Sequence, residues 1–311
     1  MSYFIFDMDE TLAELYSVYY FIATLRSRDM CDTESSLCSN LDKAYNVFIE
    51  KVLEQETSNN KLGILRPGIL EVMEKLSALQ KKAVIKNVVI YSNNGHLESL
   101  EFIRDLIHKY VKNNELIKEC IHWNHPMRGE EIMGRPGAAN KTWNVLRNIL
   151  IKGNCKASNA IKPSNIYFFD DLAHQDLRRN LEGNYYQVPG YSFKASFERL
   201  SDIFRRCLSN MNANDIDELK DMVVGNFGNR NTDFINQSNS IDKIIEIFGS
   251  KTRNTVGVNV LPPGSDSGIE MMNDAIEKAT KQLGGRKRKI GYTIRKSRVK
   301  KYRMKSRVRK N

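Results

Sequence analysis

Tyr3-Phe4-Ile5-Phe6-Asp7-Met8-Asp9-Glu10-Thr11-Leu12 is an apolar run that stops abruptly at two acids spaced i, i+2. An unbroken run of this kind, rich in aromatic and β-branched residues, reads as a strand buried on both faces of a parallel sheet. Acids at the exit of such a strand sit at the carboxyl edge, where open α/β sheets bind ligands. Carboxylates beside an apolar strand are costly unless their charge is offset, and a metal ion does this. The same residues also admit a plainer reading, in which Asp9 or Thr11 caps a helix beginning near Leu12.

The theme recurs along the chain. Lys86-Asn87-Val88-Val89-Ile90-Tyr91 reads as a second buried strand, running into the turn-forming loop Ser92-Asn93-Asn94-Gly95. Ile117–His122 is a shorter third. Ile166-Tyr167-Phe168-Phe169 again discharges into two acids, Asp170 and Asp171, and Tyr185–Val188 forms a fifth. Between them lie helical stripes, among them Leu97, Leu100, Ile103 and Ile107, and Trp143, Leu146, Ile149 and Leu150 in a helix expected from about Ala138. Strands alternating with helices predict right-handed crossovers and one mostly parallel sheet.

The expected fold is therefore α/β, a Rossmann-like three-layer core over residues 1–210. Residues 13–62, carrying Leu15, Tyr19, Ile22 and Leu25 and then Leu41, Tyr45, Phe48 and Val52, read as a helical insert or cap. Leu65-Arg66-Pro67-Gly68 predicts a helix with Pro just inside its start. Residues 211–283 read as a helical accessory region with Asn-rich and Pro-Pro-Gly-Ser linkers, and 284–311 as a disordered basic tail.

The charge balance divides the chain at Gly284. Fourteen Lys and Arg, and no acid, lie between Gly284 and Asn311, which leaves 34 basic against 37 acidic residues in positions 1–283. The body is thus slightly acidic, and the basicity belongs to a tail too charged to fold alone. Five cysteines (Cys31, Cys38, Cys120, Cys155, Cys207) show no C-x-x-C pair, which fits free thiols rather than a disulfide framework. No signal peptide and no membrane-length apolar segment is expected, so the reading is an intracellular protein, cytoplasmic or nuclear, without a membrane partner.

In chain order, the strand ends and helix starts carry Asp7, Asp9 and Thr11, then Ser92, then Lys141, then Asp170 and Asp171. Phosphoryl transfer asks a protein mainly for positioning and charge neutralisation, and this set can provide both. Asp7 is the candidate nucleophile, forming an aspartyl-phosphate, and Asp9 the candidate acid and base. Ser92 would hydrogen-bond a phosphoryl oxygen, or else cap the next helix. Lys141 would offset negative charge, with Arg128, Arg135, Lys152 and Lys162 as alternatives. Asp7, Asp170 and Asp171 suit Mg²⁺, which takes one or two carboxylates and keeps several waters.

This ordered set resembles the haloacid dehalogenase superfamily of phosphotransferases over residues 3 to about 193. Asp-Met-Asp-Glu-Thr-Leu followed by Leu-Arg-Pro-Gly looks most like its NLI-interacting-factor branch, the RNA polymerase C-terminal-domain phosphatase-like proteins. The resemblance implies that the backbone carbonyl of Asp9 joins the carboxylates on Mg²⁺. It also implies a phosphate monoester hydrolase acting on a phosphoprotein or small phosphate ester. Two other functions are compatible with the sequence: a nucleic-acid end phosphatase whose tail holds DNA or RNA, and a non-enzymatic packaging protein on the same fold. His122-x-x-His125 lacks partners at zinc spacing, and Tyr16, Tyr19, Tyr20 and Phe21 read as packing within the insert rather than a stacking platform.

Overall fold

The computed structural model describes residues 1–27, 36–59, 61–129, 140–152, 161–193, 195–227, 240–252 and 266–282. The basic tail and the Pro262-Pro263-Gly264-Ser265 linker lie outside the described residues. Arg135 and Ala138, the expected helix start, do so too.

Five parallel strands form one sheet in the order β3-β2-β1-β4-β5: β1 Ser2–Phe6, β2 Ile85–Tyr91, β3 Ile117–Ile121, β4 Ile166–Asp170 and β5 Tyr185–Gln187. The α/β fold with a parallel sheet is as the strand pattern predicts. β1 lies at the centre with all five residues buried, which explains its lack of polar alternation. The chain builds outward through β2 and β3, then returns to add β4 and β5 on the other side of β1. The strand order therefore reverses at β1 and β4, and ligands bind at such a switch point. Register places Phe6 opposite both Ile90 and Phe169. The residues that follow, Asp7 and Asp170, consequently emerge side by side.

Alternate β1 residues serve different layers, as the two-residue period of a strand requires. Tyr3 and Ile5 face a thin layer made by α5 (Trp143–Lys152) and α6 (Gln175–Leu181), through Leu146, Ile149, Leu177 and Leu181. Phe4 and Phe6 face a thick layer and stack on β4, with ring centroids 4.9 Å apart for Phe4–Tyr167 and 4.8 Å for Phe6–Phe169. That layer holds α1 (Tyr19–Leu25), α2 (Ser36–Glu56), α3 (Ile69–Lys81), α4 (Leu97–Val111), α7 (Phe197–Leu208), α8 (Ala213–Phe227), α9 (Ser240–Thr252) and α10 (267–282).

Residues 211–283 read from sequence as an accessory region, and their described helices contribute to this same core. Leu219, Val223, Ile244, Phe248, Met272 and Ala275 are buried in one cluster with Phe4 and Phe6. The helical insert follows β1 as expected, but its long helix α2 runs along the thick layer beside α4 and α7. Among the described residues of the insert, the stretch leading into α1 and the first turn of α1 border the cleft beside Asp9.

That stretch corrects the expected helix from Leu12. Residues 8–13 form a tight turn: Leu12 and Ala13 both donate to the Met8 carbonyl, and Glu10 takes a left-handed conformation at φ 56°. A left-handed non-glycine residue is strained and persists only where its surroundings fix it. Here Tyr191 N donates to the Glu10 carbonyl at 2.6 Å, and the wholly buried Arg66 donates to the carbonyls of Thr11 (2.9 Å) and Pro189. Arg66 Nε completes its set on Asp266 Oδ2 at 2.7 Å, tying the start of α10 to the turn. Gly68 caps α3 at φ +88°, a conformation that an L side chain would strain, so α3 begins at Ile69 and Pro67 stays outside it.

Candidate active site

The turn after β1 points three side chains at three different neighbours. Asp7 Oδ1 accepts from Lys141 Nζ at 2.6 Å, and the same ammonium donates to Asp170 Oδ2 at 2.7 Å. Asp9 is held from the β2 exit loop, by Ser92 Oγ on Oδ2 at 3.1 Å and Asn94 Nδ2 on Oδ1 at 3.3 Å. Thr11 Oγ1 accepts from the Asp171 backbone N–H at 3.1 Å and so fixes the chain beyond β4. All seven residues singled out in the sequence thus meet at one sheet edge. Neither Asp9 nor Thr11 caps a helix, since α1 begins only at Tyr19. Ser92 caps none either, because His96 occupies that position before α4.

Lys141 stands two residues before α5 rather than within its first turn. Its side chain is 1% exposed and lies over the Tyr91 and Phe168 rings. Burial disfavours its charge, but Asp7 and Asp170 outweigh that and raise its pKa. Burial pushes Asp7 up to about 8 against the pull of Lys141, with Asp170 adding to the rise. For Asp170, burial is outweighed by Lys141 and His174, which hold the carboxyl below its ordinary value. Asp171 is pushed up to about 6, by burial first and by Asp170 second. Burial likewise raises Asp9, with Asn94 and Ser92 opposing it.

Carboxylate oxygens of Asp7, Asp170 and Asp171 lie within 4.8 Å of one another. The donor set is all oxygen, and two of the three acids, Asp7 and Asp170, share a single ammonium. Both features suit a hard divalent cation such as Mg²⁺. The Asp9 carboxylate is outside this group, so only its backbone carbonyl remains as the atom assigned to the ion by the resemblance.

Four further contributors, Asn94, Arg128, His174 and Arg66, lie outside the seven residues assigned to the site from the sequence. Asn94 shares Asp9 with Ser92. Arg128, considered above as a substitute for Lys141, is instead wholly buried beneath the β2 loop. It donates to the Ser92 carbonyl and to Asn93 Oδ1, each at 2.6 Å, and lies 4.8 Å from the Tyr91 ring centroid. His174 accepts from the Lys141 backbone N–H through Nδ1 (3.3 Å), and its Nε2 stands 3.3 Å from Asp170 Oδ2. Arg66 holds the Glu10 turn from behind.

A cleft of ≈ 580 Å³ opens beside Asp9, bordered by the residues leading into α1 and by Asn94, His96, Ser192 and Phe193. Phe21 packs inside the protein as expected, and Tyr20 packs on Phe227 and Phe248 while also bordering the cleft, which Tyr16 and Tyr19 line. His122 and His125 approach only to a ring separation of 6.3 Å. No helix among the described residues is long and apolar enough to cross a membrane. No protein-family model matches the chain, and no curated protein matches it.

Proposed function

We propose that the protein is a Mg²⁺-dependent phosphate monoester hydrolase of the haloacid dehalogenase type, working through an aspartyl-phosphate on Asp7. The observation that carries this reading is the buried Asp7–Lys141–Asp170 array at the switch point, with a second carboxyl, Asp9, held separately alongside. Lys141 engages Asp7 Oδ1, which leaves the other oxygen to attack phosphorus. As the Asp7–phosphorus bond forms, the ester P–O bond breaks and its electron pair goes to the leaving alcohol oxygen. Asp9 supplies the proton for that oxygen, and burial favours the protonated form that the step needs. Asp9 then takes a proton from water, which attacks the same phosphorus, releasing inorganic phosphate and regenerating Asp7. A Mg²⁺ held by Asp7, Asp170 and Asp171 would supply neutralisation of the phosphoryl oxygens. Ser92 and Asn94 orient Asp9, and Lys141 keeps Asp7 aimed.

The acids lining the cleft, Asp9, Glu10 and Glu14, speak against a nucleic-acid strand as substrate and favour a small phosphate ester. A non-enzymatic role would leave an array of buried charge without a purpose.

The test combines binding and turnover. Mg²⁺ at about 100 times its Kd should add about 2.7 kcal/mol to stability, seen as a raised Tm against chelator-treated protein. The same titration should switch on phosphate release from an aryl phosphate. Asp170→Asn should lose both effects. Equal release in chelator and in Mg²⁺ would contradict the metal-dependent reading.

A further inference from the structure

We propose that the cleft beside Asp9 selects a small phosphate monoester whose alcohol carries a cationic ammonium group. This deepens the phosphatase reading and rests on it for the placement of the phosphoryl end.

The walls give the argument. The volume falls in the range of small-molecule sites. Three carboxyl residues, Asp9, Glu10 and Glu14, line it, and no described Lys or Arg does; His96 is the single basic residue. Among the described residues no ion pair engages Glu10 or Glu14. Glu14 accepts from the Tyr16 backbone N–H at 2.7 Å, from Ser17 Oγ at 3.5 Å and from the Ser17 backbone, all neutral donors. Burial raises its pKa, and Asp9 adds to that rise, as expected of a carboxyl lacking a countercharge.

Aromatic rings complete the wall: Tyr16, Tyr19, Tyr20 and Phe193. Tyr19 meets Tyr20 edge-on at 5.2 Å and stands 4.3 Å from the His96 ring. Tyr16 is 51% exposed, an aromatic side chain left at the mouth with little packing role. Aromatic faces attract ammonium ions through the ring quadrupole, and nearby carboxylates add to the attraction. An anionic alcohol would be repelled by the same wall. A neutral one would gain nothing from the acids. A zwitterionic ester satisfies both ends, its phosphoryl group at Asp7 and Lys141 and its cation against Glu14 and the tyrosines.

Choline and neohexyl alcohol, in which carbon replaces the quaternary nitrogen, separate charge from shape. Calorimetric titration of the full-length protein should show choline bound about tenfold more tightly. Glu14→Gln should collapse that ratio, and Tyr16→Ala, at an exposed position that the fold does not need, should reduce it. In turnover, phosphocholine should exceed neohexyl phosphate by a similar factor in kcat/KM. Equal binding of the two alcohols, no saturable choline binding, or a ratio untouched by both substitutions would overturn the assignment. So would a Lys-flanked phosphoserine peptide that outperforms phosphocholine. A choline preference without Mg²⁺-dependent phosphate release from any ester would uphold the cation-binding cleft and count against the phosphatase reading alone.

Discussion

Asp7→Asn is expected to lower Mg²⁺-dependent phosphate release by a factor on the order of 10³ or more while the protein stays folded. An amide keeps the shape of the side chain and can remain beside Lys141, but it cannot serve as the nucleophile. The fold has a reason to tolerate the change. In metal-free protein the buried Asp7 carboxyl, raised from 3.8 to about 8, holds a proton that the unfolded chain has already released. The native state therefore binds more protons between those values, and stability falls as pH rises through that window. Asp7→Asn should flatten this dependence and leave Tm at pH 8 unchanged or higher. Stopped assays and thermal melts across pH check both halves. Full turnover by the purified variant would remove Asp7 from the mechanism.

Lys141→Met should have the largest effect on stability. The ammonium lies 2.6 Å from the buried Asp7 carboxyl and 2.7 Å from Asp170, whose buried charge it compensates. Removing one partner from a buried ion pair costs about 3–5 kcal/mol, because the remaining charge stays uncompensated. Urea unfolding in chelator should show this loss, and added Mg²⁺ should recover part of it by neutralising the same carboxylates. Lys109→Ala, which breaks a pair with Glu50 where both side chains are half exposed, should leave the midpoint where it was. If Lys141→Met behaves like that control, the buried array contributes nothing to the fold.

How far the sequence foretells all this differs from residue to residue. β1 and β4 are legible because continuous aromatic runs end in acids, and Asp7 and Asp170 then fall together through register alone. Lys141 follows from its place in the order. Residues 12–18 read as helix because Leu12, Leu15 and Tyr19 have helical spacing, yet the chain turns there instead. The cause is Arg66, which grips the carbonyls of Thr11 and Pro189 and pairs with Asp266, 200 positions away. Contacts over such separations leave no local pattern, and the same holds for Arg128 and His174. The apolar stripes of α8, α9 and α10 are visible in sequence. Their destination, the core that β1 also fills, is a tertiary fact. Tyr16, Tyr19 and Tyr20 carry the spacing of a packed helix face, and only the opening of the cleft beside Asp9 separates them from Phe21.

The claim that Asp7 becomes phosphorylated can be measured directly. With an aryl phosphate the leaving group needs no acid, so Asp9→Asn should still complete the first step and stall at the second, which needs a base. Acid-quenched Asp9→Asn protein, digested and weighed, should carry a hydroxylamine-labile phosphoryl group on the peptide containing Asp7. The double variant with Asp7→Asn should carry none. Mg²⁺-dependent phosphate release with no phosphoryl group on Asp7 at any quench time, or with the group on another residue, would contradict the account.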